Sequence, residues 1–287
     1  MTFEKTPDAQ ISGTFIRELH TILVKELKRD GSKTPGKWRR GGVTINNSHH
    51  TPPEGAAVPS LMQELCEYIN TDADGSQDVI KIAIAHHRFT AIHPFDNGNG
   101  RTARLLTYAM LVKANFINKK KRTLLNPSAI FCMDRNRYYD MLAKADKNTD
   151  KGIEVWCLYV ARGISAEIDR VSKLLDKEYI VDKIIDPALR NALDSEFLSD
   201  TEYQILRIAM DRNVIQLKDI KHLFGITPSD AVQASRTIAN MREKGLLMIE
   251  PGYQKRYVMR FSNNYLLRDV LNTMDKNGLL AVKNEAN

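Results

Sequence analysis

A histidine, a glycine-rich bend and two arginines share one short stretch of this chain, "HPFDNGNGRTAR", residues 93–104. His93 is the kind of group that takes a proton near neutral pH, which makes it the candidate base for activating a hydroxyl. Gly98, Asn99 and Gly100 reach positive φ at little cost, so successive backbone N–H groups can turn toward one concavity that suits an anion. Arg101 and Arg104, three apart in the first turn of the next helix, would share a face and match phosphate oxygens in pairs. Cations at a helix start run against its dipole, so a purely structural role for both would be mildly unfavourable. A Gly-x-Gly turn or a lone histidine carries little weight alone. Their conjunction reads as a polyphosphate site with a base beside it.

The flanking pattern supplies the elements that must position these groups. Residues 78–92, "DVIKIAIAHHRFTAI", read as a helix that delivers His93 at its C-terminal end, where Pro94 stops it. Another helix begins after the glycines and runs to about residue 115. Phe15, Ile16, Leu19, Ile22, Leu23 and Leu27 recur at helical spacing over 12–29. Helical patterns also cover 59–70 and, as two short pieces, "NPSAIFCMDRNRYYDMLAKAD". Residues 153–175 read as one long amphipathic helix. The Gly-, Pro- and Asn-rich stretch after the first helix reads as an irregular loop holding a small hairpin around Val43, Thr44 and Ile45. The expected fold is mainly α, a helical core with a small β-hairpin flap.

Near residue 196 the chain changes character. Three short helical patterns follow, the first capped by Ser199 or Asp200, and then two strand-like runs around Pro251-Gly252. Three helices and a hairpin in that order predict a winged helix-turn-helix. The expected domains are therefore 1–195, 196–262 and a tail, 263–287. In the second, residues 229–244 would be the reading helix, with Ser229, Gln233, Arg236 and Lys244 as polar contacts and Tyr253, Lys255 and Arg256 at the wing. Residues 200–262 hold ten Lys and Arg against seven Asp and Glu, and the whole 287-residue chain carries +7. Neither value is basic enough to claim nucleic acid on charge alone. The run "NKKKR", 118–122, reads as a solvated helix end.

The remaining composition excludes several classes. Hydrophobic residues at 43% and charged residues at 27% are ordinary for a globular protein, and no apolar run is long enough to span a bilayer. The first residues show no basic-then-apolar signal pattern, so the cytoplasm is the expected compartment. Cys66, Cys132 and Cys157 are scattered without ligand spacing and read as small apolar residues.

Residues 93–104 resemble the HPFx[DE]GNGRxxR signature of the Fic family. "FIRELHTIL", "PGKWRRGGVTI", "TPPEGAAVPSLMQEL" and "RYYDML" resemble the other recurring segments of the Fic core, in order, over about residues 10–175. The resemblance implies an α-helical protein adenylyltransferase that moves AMP from ATP, with Mg²⁺ (or Mn²⁺), onto a Ser, Thr or Tyr hydroxyl of a target protein or of itself. It implies His93 as general base, a buried Phe95 anchoring the loop, and Gly98, Asn99 and Gly100 cradling the phosphates, with Asn99 on the α-phosphate. Arg101 and Arg104 would hold the departing pyrophosphate. Val43 to Ile45 would be a flap that pairs with an extended target segment, and Tyr138 and Tyr139 would line the nucleotide site or simply pack the core.

Three departures matter. The family's usual metal-holding carboxylate is replaced by Asn97, with a carboxylate one residue earlier at Asp96, so weaker metal binding, or Asp96 as the ligand, is expected. Gly100 keeps the family glycine where the phosphotransferring Doc branch has lysine, which favours AMP over phosphate as the group moved. The family's inhibitory [ST]xxxE[GN] pattern is missing: Glu54-Gly55 has His50 four residues before it. The expectation is an unblocked Arg104, with any restraint coming from a lost N-terminal segment or a partner. Two alternatives stay open: a DNA-binding regulator with a degenerate nucleotide-sensing pocket, and transfer of another nucleotide such as UMP.

Overall fold

Helix α1 (Gly13–Val24) begins where the Ser12 side chain accepts the Phe15 N–H, an ordinary N-cap. The computed structural model describes residues 10–25, 27, 31–45, 48–71, 75–117, 126–132, 134–225 and 227–280. The basic run 118–122 lies outside them. Two compact units divide between Val171 and Ser172.

In the first unit α1 is followed by α2 (Val58–Asn70), α3 (Asp78–Ile92), α4 (Asn99–Lys113), α5 (Pro127–Cys132), α6 (Arg135–Ala145) and α7 (Asp150–Leu175), whose last turn passes into the second unit. Helix α3 is the axis of this unit: it packs on α2 and α4, and α4 packs on α1. Ile82, Ala83, Ala85, His86, His87, Phe89 and Ile92 of α3 are all buried, so apolar neighbours surround it on several sides. Phe89, Phe95, Phe131 and Trp156 fill the core, and the Trp156 indole N–H donates to the Ala83 carbonyl at 2.7 Å. Each such side chain contributes about 1.5–3 kcal/mol through the area it removes from water. Gly163 lets α7 approach α5, because a Cβ there would sit 2.4 Å from Ile130 Cγ2.

One expected element is corrected. Residues 41–45 form no strand, and the only strand pair among the described residues lies in the second unit. The Ser48 N–H turns back to the Ile45 carbonyl at 3.3 Å instead. A three-residue β-branched run beside Gly41 and Gly42 offers too few cross-strand pairs to hold a hairpin by itself.

The second unit contains α8 (Lys177–Ile180), a π-helical turn (Val181–Ile185), α9 (Asp186–Asp194), α10 (Asp200–Arg212), α11 (Leu217–Ile220) and α12 (Pro228–Glu243). Strands β1 (Leu247–Ile249) and β2 (Tyr257–Met259) pair antiparallel, Met248 opposite Val258, and Ile215 bridges to Tyr257 on the other side. Helix α13 (Asn264–Lys276) then packs on α9. The sequence pattern assigns no element to 176–195 and reads 263–287 as a tail. The structure places helices in both, and Leu189, Ala192 and Leu266 join the same apolar cluster as Leu206, Ile238 and Met241. For that reason the division falls ahead of residue 195, where the sequence itself changes character. No described helix is long and apolar enough to cross a membrane.

Candidate active site

Helix α3 ends at Ile92, and His93 adopts the left-handed conformation, φ 49° and ψ 60°, while its N–H closes on the Phe89 carbonyl at 3.0 Å. A non-glycine residue held there carries backbone strain that its surroundings must offset. Phe95, fully buried, stacks face to face on His20 of α1 with centroids 3.7 Å apart. The buried Asn99 amide staples the bend: its Oδ1 accepts the Phe95 N–H and its Nδ2 donates to the Phe95 carbonyl, both at 2.9 Å. Gly98 is the N-cap of α4 at φ 78°, and a Cβ there would lie 2.8 Å from Val24 Cγ1, so both conformation and space require glycine. No side chain caps α4. Its first-turn N–H groups and dipole therefore favour an anion.

A cavity of about 230 Å³ opens at this bend, and His93, Asn99, Gly100 and Arg104 all line it. The imidazole of His93 is held neutral: burial lowers its pKa from 6.5, and the positive charge of Arg39 and the neighbouring His50 lower it further. Its Nδ1–H donates to the Thr90 carbonyl at 3.3 Å, which leaves Nε2 with the lone pair a base needs. Tyr138 and Tyr139 line the same cavity. The buried Tyr138 hydroxyl meets His86 Nε2 at 3.0 Å, so this residue both packs the core and walls the pocket, whereas Tyr139 is half exposed. Arg104 reaches the cavity. Arg101 does not line it, although its charge acts on His20.

The donors expected for a metal point elsewhere. Asp96 Oδ1 accepts the Ser32 hydroxyl at 2.5 Å and the Asn97 N–H at 2.9 Å, and Oδ2 accepts the Lys33 N–H at 3.0 Å. Burial works to raise the Asp96 pKa, but these bonds together hold it below the usual carboxylate value. Asn97 Oδ1 accepts the Gly98 N–H at 2.7 Å, and its Nδ2 donates to the Gly31 carbonyl at 3.0 Å. Neither side chain lines the cavity, and among the described residues no three His, Cys, Asp or Glu groups converge to hold an ion. Magnesium asks for anionic oxygens in octahedral geometry. The side chains at this bend do not fit it.

Residues 10–111 match the family model described as Fic/DOC family. The chain carries a Fic/DOC domain. It is similar to the protein adenylyltransferase Fic of Drosophila mojavensis, 32% identical over 145 residues, which span 48% of this chain and 27% of that protein. The protein of the same name from Nematostella vectensis is 31% identical over 135 residues, 47% of this chain and 28% of that one. The chain thus spans about a quarter of the length of these curated relatives. A crystal structure of a Fic family protein from Desulfovibrio desulfuricans G20 aligns at a TM-score of 0.45 and 20% identity, over 90% of this chain and 70% of that one.

Several side chains of the Fic/DOC domain's site escape a reading by pattern. Arg39, 5% exposed, has its guanidinium against the end of α3: Nε donates to the His93 carbonyl at 2.8 Å and Nη2 to the Ile92 carbonyl at 3.1 Å. His20 bridges two loops, since its Nδ1 accepts the Gly36 N–H at 2.9 Å and its Nε2–H donates to the Asn97 carbonyl at 3.0 Å. His50 lines the cavity and donates to the Ala91 carbonyl at 2.9 Å. Asp146 lines it from the end of α6 and pairs with His87 at 2.9 Å. In these contacts the partners lie 16 to 77 positions apart in the chain, from His20 and Gly36 at the near end to His20 and Asn97 at the far one. The available signal was coarser: polar residues set among apolar ones in "RELH" and "KWRR".

Proposed function

We propose that this chain moves AMP from ATP onto a hydroxyl of a protein, another one or itself. The observation that carries the reading is that His93, Gly100 and Arg104 line one cavity at the uncapped start of α4. His93 Nε2 takes the hydroxyl proton as the oxygen attacks the α-phosphorus. The bond from that phosphorus to the bridging oxygen breaks, and pyrophosphate leaves toward Arg104. Gly98 to Gly100 offer backbone N–H groups to the phosphates, because the Asn99 amide is already engaged with Phe95. In such a transfer the protein contributes chiefly by positioning and by offsetting charge. Asp96 and Asn97 are committed to the 31–34 loop, so neither would hold a divalent ion at this bend. The run Val43–Ile45 would offer its backbone to an extended target segment.

Asp146 bears on the base. A carboxylate on the cavity wall accepts from an exocyclic amino group and repels a carbonyl oxygen, which favours adenine over uracil. No carboxylate pairs with Arg104 among the described residues, so we infer that transfer needs no inhibitor removed. Intact-mass measurement after incubation with ATP and Mg²⁺ or Mn²⁺ tests the whole reading. One added AMP is expected, lost in His93→Ala and replaced by much slower labelling with UTP; equal labelling by the His93→Ala protein refutes it.

For the second unit we infer a winged-helix module, supported by the order α10, α11, α12, β1, β2 and by the exposed Ser229, Gln233 and Arg236 on α12. Arg207, Arg212, Lys244 and Arg256 each pair with a carboxylate, and the excess of Lys and Arg over Asp and Glu in residues 200–262 is only three. That favours a protein over duplex DNA as its partner.

A further inference from the structure

The Arg39 guanidinium is buried without a carboxylate partner among its hydrogen bonds. Beyond the carbonyls of His93 and Ile92, Nη1 donates to the Gly41 carbonyl at 2.7 Å and Nη2 to the Pro53 carbonyl at 2.5 Å. Its own backbone N–H donates to the Pro94 carbonyl at 2.9 Å. A buried cation costs stability unless something offsets it. Here the offset is a ring of carbonyls and the negative end of α3, whose last C=O groups have no helical partner. The ring closes around the one residue in this bend that is both strained and chemically active, since His93 sits between two of the peptide groups that the guanidinium contacts, Ile92–His93 and His93–Pro94.

We infer that Arg39 is the positioning residue of His93: by gathering the carbonyls of Ile92 and His93 with those of Gly41 and Pro53, it holds the left-handed turn that presents the imidazole to the cavity. Lysine cannot replace it, because one ammonium has three donors on a flexible stem, whereas the planar fork reaches four carbonyls in fixed directions. The inference rests on His93 being the base. Arg39 does not touch the cavity, which keeps its role apart from nucleotide binding.

The titratable groups facing His93 or sharing its cavity are Arg39, His49 and His50 from the 39–53 loop, Arg104 from α4, and Tyr138, Tyr139 and Asp146 from α6 and its end. Of these, Arg39 and His50 act to keep the imidazole unprotonated. Two substitutions therefore separate shape from charge. Arg39→Lys keeps a cation and loses the fork. Arg39→Gln loses both.

The test measures ATP-dependent transfer at saturating ATP, the KM for ATP, and the His93 ring titration by NMR without substrate, in variants shown to fold by circular dichroism. Arg39→Lys is expected to lower kcat by about 100-fold, the scale of an ångström's misplacement of a catalytic group, with KM changed less than about threefold. Arg39→Gln is expected to lose at least as much kcat and to raise the midpoint of the His93 titration, whereas Arg39→Lys leaves the midpoint close to that of the parent. A general loss of structure would move KM and melting together and would not shift one histidine's midpoint. Unchanged kcat in either folded variant overturns the inference. If neither folds, the parent protein decides: the Arg39 Nε–H must be protected from exchange and show coupling to the His93 carbonyl, and a freely exchanging guanidinium overturns it equally. Transfer retained by His93→Ala would sink the functional reading alone, since the ring titration reports on Arg39 without any turnover.

Discussion

The starts of α4 and α12 show two opposite treatments of the same problem. At α12 the Thr227 side chain accepts the Asp230 N–H and Asp230 answers the Thr227 N–H, a full capping box, and α10 and α11 begin the same way. At α4 a left-handed glycine leads in and no side chain caps the turn. The first unit also buries His20, Arg39, His86, His87, Asn99, Thr102, Thr107 and Glu167, against Glu202 and Thr273 in the second. A helix start left open, behind a strained histidine and within a buried polar network, departs from what stability alone would select. The departure marks the place where an anion is expected to complete the structure.

The sharpest way to break this contrast is at His93. His93→Ala should lower transfer by about 100-fold to 10,000-fold, the usual worth of a general base, and leave the melting temperature nearly unchanged. A transfer assay beside a thermal melt checks it, and a large loss of stability would place His93 with the structural histidines instead. Next comes Gly98→Ala, which meets both positive φ and Val24. It should destabilise the first unit by about 1–3 kcal/mol and depress nucleotide binding, read by denaturant unfolding and titration calorimetry. Thr227→Ala at the capped helix should cost about 1 kcal/mol and leave transfer untouched. If transfer fell with it, the two units would be functionally coupled.

Acid supplies a graded test of the same difference. Burial lowers the pKa of His20, and it takes His86 down to about 3, with the charges of Arg104 and His87 adding to that effect. The unfolded chain takes up these protons near pH 6.5 and the folded one does not, so stability is full above 6.5 and declines as pH falls below it. The first unit should therefore lose stability before the second. Transfer should fall on the acid side with a midpoint under 6.5, following His93. The smallest effect concerns DNA: duplex affinity should stay in the non-specific range, weaker than about 1 μM at physiological salt, in a fluorescence anisotropy titration. Tight, sequence-dependent binding would reverse the inference about the second unit's partner.

How much of this was legible follows from how local each signal was. Helix α3 and its end at His93 are written in the apolar spacing of 78–92 and in Pro94, and the structure gives the same bounds. The cap at Ser199 is short-range as well. The Val43–Ile45 hairpin failed because three β-branched residues fix no partner, a question only tertiary contacts answer. His20 and Arg39 were unreadable for a related reason. Their partners, Asn97 for one and His93 for the other, lie far along the chain, and a buried polar residue looks like a surface one until its acceptors are in place. Helix α13 went unread because its apolar side is completed by α9, itself unassigned.

The chain's two tryptophans, Trp38 beside Phe95 and Trp156 beside His86 and Tyr138, both belong to the first unit. Intrinsic indole emission is thus a built-in, label-free reporter of that unit alone, while far-ultraviolet dichroism sums over both. A melt followed by the two signals at once would resolve whether the halves come apart together or in sequence, and a nucleotide settling at the bend would register as quenching or a spectral shift with nothing attached to the protein.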